Sequence, residues 1–386
     1  MKNNFNPSFQ NLSVLNRRLL GVWALGAALS ACGGGGDDSI VPVPPAPPEP
    51  PAPPVVTGQV VASAWSDALP LFETGFISFA EAFVGVGVSG LIYFQAIEKF
   101  DEKYELVLKQ CRPDGSLVSS TRLQGGFPEQ ISVVETSSAD EILVSVAFTA
   151  PSGMINTKIT VGGYIARLNT QSGEVRKILE SDTICPAGLA RDSAGSLYTL
   201  DLKTGNVLRL AAGQNQAAVI YSAQPGAGAS TNAAWDFVMY AKGMVAVTAD
   251  GTVYATLSGT HSASAASYGS NNSEGQRMVR LRNGQADLIA PAPDAGRING
   301  LGVLGNDVFA LVNSQANTLV RKVDAAGVVS TVAGTPGSNA QTQWGAPGAL
   351  GTQTQWIGLT PDGRIHLHGP AQASPRFYSV LLPAQA

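Results

Sequence analysis

The side chains of this chain that could do chemistry are few and widely spaced. Three histidines, His261, His366 and His368, bound the imidazole ligation and acid-base work open to it. His366 and His368 stand two apart, so in a strand both point to one side, a spacing that holds a transition metal when a third ligand converges. The sequence shows no third ligand beside them. Tyr198 and Phe309 fall in the slot that His366 occupies in its own segment, and a slot shared with aromatics favours packing against a neighbouring element. A basic residue also recurs: Arg167, Arg209, Arg280 and Arg321 each precede a glycine by four or six residues, and Lys109 stands six before Gly115. Such a set could ring an acidic ligand, but one slot repeated per unit better fits a structural task such as bridging adjacent units. There is no GxSxG elbow, HExxH helix or phosphate-binding loop, and the glycine run 33–36 does not lie between a strand and a helix.

One cysteine has a more specific setting. Arg17 and Arg18 precede an apolar run, Leu19 to Leu29, that ends in small residues and Cys32, giving LLGVWALGAALSAC. That is a signal-peptide pattern over residues 1–31, too short for the roughly 20 residues that a membrane-spanning helix needs. Leu29-Ser30-Ala31-Cys32 resembles the lipobox of bacterial lipoproteins. The resemblance implies diacylglycerylation of the Cys32 thiol, cleavage before it and acylation of the new amine. Several acyl chains, at ~0.8 kcal/mol per buried CH₂, anchor a protein stably where one is marginal. Gly33 rather than Asp after the cysteine implies, by the sorting pattern of such lipoproteins, the outer membrane of a Gram-negative bacterium, with the domain in the periplasm or at the cell surface. The string NRRLLG also loosely resembles a twin-arginine export signal. Residues 32–57 then form a Gly/Pro-rich tether. Its VPVPPAPPEPPAPP stretch, residues 41–54, cannot join a sheet or helix, and at about 3.1 Å per residue it spans on the order of 40 Å.

The elements that must position everything else are repeated. GLARDSAGSLYTLD (188–201), GLGVLGNDVFALV (300–312) and IGLTPDGRIHLHG (357–369) each read as strand, tight turn, strand. A second hairpin follows in YIARLNTQSGEVRKIL, NVLRLAAGQNQAAVIY, RMVRLRNGQADLIA and TLVRKVDAAGVVSTVA. Four strands per unit make a propeller blade. Units near 82–124, 131–180, 188–222, 243–290, 299–334 and 357–383 predict an all-β fold, a six-bladed β-propeller of four-stranded antiparallel blades over residues 58–386. The last unit lacks one strand, and GQVVASAW (58–65) can supply it, closing the ring and leaving no open edge. In the fourth unit an alternative stays open, with WDFVMYAKGMVAV as a first hairpin and GTVYATL an extra strand. The GL-x(5)-G-x-LY pattern, and DAAGVVSTVAGTPG above all, resemble NHL repeats, whose propellers include binding scaffolds, lyases and hydrolases. Charged residues are 13%, against about 25% for an average soluble domain. Loss of the leader removes Lys2, Arg17 and Arg18 and no acid, taking the formal charge from −4 to −7, which disfavours a nucleic-acid partner.

Turns after first and third strands lie on one side of an antiparallel blade, and connections after second and fourth strands lie on the other. The tight turns fall on the first side. Segments 66–81, 150–162, 223–233, 259–275 and 335–354 fall on the second, and loops of that length in compact domains tend to be functional. Trp235, Trp344 and Trp356 stand at or beside them, and segment 259–275 carries His261 and Tyr268. These residues, with Asn299, are the candidate contacts for a protein, peptide or glycan partner. A second resemblance is to the metal-dependent propeller lactonases typified by senescence-marker proteins. Asn299-Gly300 matches one ligand position of that family, but Pro186-Ala187-Gly188 lacks the carboxylate expected at another unless Asp236 or Glu135 replaces it. No catalytic residue, metal ligand set or cofactor is assigned. Cys111 ends the third strand of the first unit and Cys185 lies in the connection entering the third, with the second unit between them, so thiols are expected, with a bridge open only if that connection reaches back to within the ~7 Å Cα separation a disulfide tolerates.

Overall fold

In the computed structural model, apolar residues alternating with polar ones between glycine-bearing turns form 24 strands among the described residues, β1 to β24. The residues described are 58–62, 65, 81–100, 103–123, 128–138, 140–151, 158–222, 243–256, 277–291, 296–313, 318–334, 350–351, 354–369 and 377–382. The chain divides into two units, Met1–Ala52 and Pro53–Ala386, and the described residues belong to the second. None of them forms a helix long and apolar enough to cross a membrane.

The strands make six antiparallel four-stranded sheets. Blade 1 is β2 (Glu81–Val86), β3 (Ile92–Phe100), β4 (Lys103–Cys111) and β5 (Leu117–Leu123). Blade 2 is β6 (Pro128–Glu135), β7 (Glu141–Pro151), β8 (Lys158–Asn169) and β9 (Val175–Ser181). Blade 3 is β10 (Pro186–Arg191), β11 (Leu197–Asp201), β12 (Val207–Leu210) and β13 (Ala217–Tyr221), and blade 4 is β14 (Val245–Val247), β15 (Val253–Thr256), β16 (Met278–Arg282) and β17 (Gln285–Ile289). Blade 5 is β18 (Arg297–Leu304), β19 (Asp307–Asn313), β20 (Thr318–Val323) and β21 (Val329–Ala333). Blade 6 is β22 (Gln355–Thr360), β23 (Arg364–His368) and β24 (Phe377–Leu381), completed on its outside by β1 (Gln59–Ala62) in the order β1-β24-β23-β22. The domain is therefore a six-bladed β-propeller whose first strand closes its last blade, with Gln59 opposite Leu381 and Ala62 opposite Tyr378. GTVYATL supplies β15, a second strand, so the fourth unit follows the simpler of its two readings.

Three of the tight turns share one device. Asp114, Asp192 and Asp324 each accept a backbone N–H from two to four residues on, from Ser116, Ser196 and Val328, at 2.8 Å. A glycine then takes the left-handed conformation, with φ of 88° at Gly115, 85° at Gly195 and 90° at Gly327, where a side chain would be strained.

The core is the set of seams between blades. Tyr93, Leu106 and Leu108 of blade 1 pack on Ile131, Val144 and Tyr164 of blade 2. Blades 4 and 5 share Tyr254, Met278, Ile298 and Val308, and blades 5 and 6 share Phe309, Leu311, Ile365 and Leu367. In the closing seam Trp65, just after β1, joins Ile357 and Phe377 of blade 6 to Ile92, Phe94 and Cys111 of blade 1. Small residues on the innermost strands let the blades approach: Tyr93, Tyr198, Tyr254, Phe309 and His366 stand opposite Gly85, Ala190, Ala246, Gly302 and Gly358.

The two ends of segment 150–162 depart from the loop expected of them, and residues 152–157 lie outside the described residues. The β7–β8 ladder passes a bulge at Phe148/Thr149 and continues through Thr149↔Thr160, Ala150↔Ile159 and Pro151↔Lys158. The β-branched residues Ile159 and Thr160 favour pairing over a loop, so blade 2 carries a two-stranded extension on its long-segment side, with Val161 left out of the ladder at the bulge.

Candidate functional site

On the short-turn face Glu135, Asp192 and Asp362 serve the fold. Glu135, at the end of β6, reaches into blade 1: its carboxylate accepts the Ser89 N–H at 2.8 Å, the Ser89 hydroxyl at 2.5 Å and the Tyr93 phenol at 2.7 Å. Gln110 donates to the same phenol at 3.1 Å and accepts the Ser119 hydroxyl at 2.6 Å. Burial and then Glu135 push the Tyr93 phenol well above its ordinary range. Asp192 does the same work within blade 3, accepting the Tyr198 phenol at 2.9 Å. In blade 6 His366 fills that tyrosine's slot.

His366 sits 3.0 Å from Thr360 Oγ1 and 3.4 Å from Ser379 Oγ, and the Thr360 hydroxyl donates its one proton to Asp362 at 2.5 Å. Nε2–H therefore donates to Thr360, and Nδ1 accepts from Ser379. Trp65 stacks on the ring at 4.2 Å between centroids, with 8° between planes. His368 tilts against Phe377 at 5.4 Å. Both histidines thus face the blade 1 seam, and among the described residues no three His, Cys, Asp or Glu side chains converge to hold a metal.

The repeated basic slot is paired mainly within blades. Lys109 meets Glu98 at 2.6 Å, Arg167 meets Glu141 at 2.5 Å, Arg280 meets Asp287 at 2.9 Å, and Arg209 donates to Ser196 at 3.1 Å. Arg321 donates to Thr331. Arg280 alone of these also crosses to the next blade, donating to the Ala325 carbonyl at 3.3 Å.

The opposite face begins at the channel mouth, where the innermost strands start. Each innermost strand lies at the end of its sheet, so its outer backbone groups face the channel. Five of the six, all but β14, carry a register shift there. Asn299, half-buried, is the residue displaced by the shift in β18, between Ile298 and Gly300. A bulge re-aims a side chain at such a rim. Gln130 of blade 2 reaches past blade 3 to blade 4: its Nε2 donates to the Gly243 carbonyl at 2.6 Å, and Gly243 N–H donates to its Oε1 at 2.9 Å. The side-chain amide thereby pairs with Gly243 as a strand would. Sequence alternation gives no sign of this clasp.

Trp356 lies in the seam between blades 5 and 6. A Cβ added at Gly300 would stand 2.0 Å from its Cγ, and one at Gly302 2.8 Å from its Cζ2, so the indole covers two glycines of β18. Asn313 Nδ2 donates beside it to the Thr354 carbonyl at 2.9 Å. Trp235, Trp344, His261, Tyr268 and Asp236 lie outside the described residues. Glu135 sits at the short-turn end of its strand, fully engaged there, and so does not supply the carboxylate that Ala187 lacks. Cys111 and Cys185 are buried in different seams, and no disulfide joins them.

The ladders define the class: a six-bladed propeller with one face of tight, internally bonded turns, while residues 66–80, 152–157, 223–242, 257–276 and 335–349, which connect strands on the other face, lie outside the described residues. No protein-family model matches the chain, and no curated protein matches it. Solved structures similar to it include YCF48 bound to D1 peptide, with TM-score 0.44 and 10% identity over 84% of this chain and 95% of that one. Another is TolB from Acinetobacter baumannii, at TM-score 0.38 and 14% identity over 81% and 65%. A third is a catalytically inactive virginiamycin B lyase from Staphylococcus aureus with quinupristin, at TM-score 0.41 and 10% identity over 81% and 99%. The fold stands on the strand ladders, and what these proteins bind is their own property.

Proposed function

We propose that the chain is an extracytoplasmic binding or assembly module, anchored in the outer membrane through acylated Cys32, whose long-segment face takes a protein, peptide or glycan. The observation that supports this reading is the division of labour between the faces. Glu135, Asp192 and Asp362 on the short-turn side are engaged in holding strands and turns together. Length has accumulated on the other side, where it perturbs the blades least, since doubling a loop costs only about 0.6 kcal/mol in closure entropy. Recognition built there leaves the scaffold rigid. Replacing 259–275 by a short Gly/Ser link should therefore shift the unfolding free energy by less than about 1 kcal/mol while adducts formed with envelope components on chemical crosslinking fall several-fold. A cooperative loss of fold would make the segment structural instead.

A further inference from the structure

The direction of β1 states where the tether joins the propeller. β24 runs from the long-segment side to the short-turn side, because it follows the connection after β23, a second strand. β1 is antiparallel to it and so starts at the short-turn side, with Gln59 opposite Leu381. The next residue, Leu382, donates its N–H at 2.9 Å to the carbonyl of Gly363, in the turn between β22 and β23. Gly58 is pinned in turn: its N–H donates to the Val332 carbonyl of blade 5 at 2.6 Å, and an added Cβ would stand 2.7 Å from Val380 Cγ1 and 2.9 Å from Val332 Cγ1. The chain therefore reaches the domain on the short-turn rim of blade 6, held by two blades.

A second observation falls on the same rim. Among the described residues seven large hydrophobics are exposed: Val88 (71%), Leu117 (55%) and Val118 stand in or just after short turns of blade 1 and Val328 (56%) in a short turn of blade 5, while Val219, Ile220 and Leu288 lie along the outer strands of blades 3 and 4. Blades 5 and 1 flank blade 6, so apolar tips stand on both sides of the attachment point. Apolar side chains at a surface favour the headgroup and acyl boundary of a bilayer over bulk water. We infer that the short-turn rim of blades 5, 6 and 1 is the membrane-proximal surface of the propeller, with the bilayer as its occupant, and that the long-segment face points away from the lipid. This rests on anchoring through Cys32.

The test uses the full lipidated chain in vesicles of phosphatidylethanolamine and phosphatidylglycerol carrying a headgroup-linked energy acceptor. A donor dye goes on Ala326→Cys, exposed in a short turn of blade 5, or on Ser222→Cys, exposed where β13 ends on the long-segment side. Cys111 and Cys185 are 3% and 0% exposed, so in the folded protein the dye goes to the new thiol. The expected result is about twice the transfer efficiency from position 326 as from 222, with a further rise at 326 when a tether of roughly 40 Å is shortened. Equal transfer, or more from 222, in protein that floats with the vesicles overturns the orientation alone. Failure to float, or flotation of Cys32→Ala to the same extent, overturns the anchoring and the orientation together.

Discussion

Deletion of residues 58–65 is expected to abolish cooperative folding of the whole propeller. The segment holds four residues of ladder, but its loss exposes the outer edge of β24 and empties the seam between blades 6 and 1. Val60 and Trp65 are 1% and 9% exposed, and Trp65 touches both the ring of His366 and that of Phe377. Burying a Val side chain is worth about 1.5–3 kcal/mol, and truncating a buried Trp costs about 3–5 kcal/mol. Together these reach the lower end of the roughly 5–15 kcal/mol that separates folded from unfolded domains. Denaturant unfolding followed by near-ultraviolet circular dichroism checks it. Trp65→Ala alone should lose about 3–5 kcal/mol and still fold, whereas an unchanged transition in the deletion would refute ring closure by β1.

Acid should weaken the same seam through His366. Burial, opposed by the nearby Asp362 charge and aided by Arg364, lowers its pKa from 6.5 to about 4. The folded protein thus holds this ring neutral where an unfolded chain would protonate it. The unfolded state binds more protons between those values, so stability is fully present above pH 6.5 and declines as pH falls toward about 4. At about 1.4 kcal/mol per pH unit the loss approaches about 3 kcal/mol. His366→Phe, the residue at the corresponding position of blade 5, should flatten that dependence in denaturant titrations run from pH 7 to pH 4. An equally steep loss in the variant would assign the acid sensitivity to other groups.

The architecture was legible in the sequence because each blade repeats the same local instructions. GLARDSAGSLYTLD reads as strand, tight turn, strand with a tyrosine facing the neighbouring blade, and the structure adds a bulge in the first strand and an Asp192 carboxylate that holds the turn. Closure by GQVVASAW followed from a missing strand. Seam contacts were harder to read, because they depend on which blade faces which. Glu135 serves blade 1, whose own turn offers Gly87 and Val88 where blade 3 has Asp192, and nothing local to Glu135 announces that. Gln130 reads as one polar residue of an alternating strand, yet its amide joins blades 2 and 4, which lie 113 residues apart in sequence at that contact. Trp356 stands beside a long segment but opposite two glycines, and the glycines decide its place. Segment 150–162 is long enough to read as a loop, while its described ends pair as a continuation of β7 and β8.

If partners are taken on the long-segment face, site-specific photocrosslinking in cells will find them there. A photoreactive amino acid is placed in turn at Thr183 and Ser222, exposed on that side, and at Ser172 and Ala326, exposed in short turns. The account predicts discrete adducts to an envelope component from the first pair, reduced when 259–275 is shortened, and only background from the second. Discrete adducts confined to Ser172 and Ala326 would contradict it.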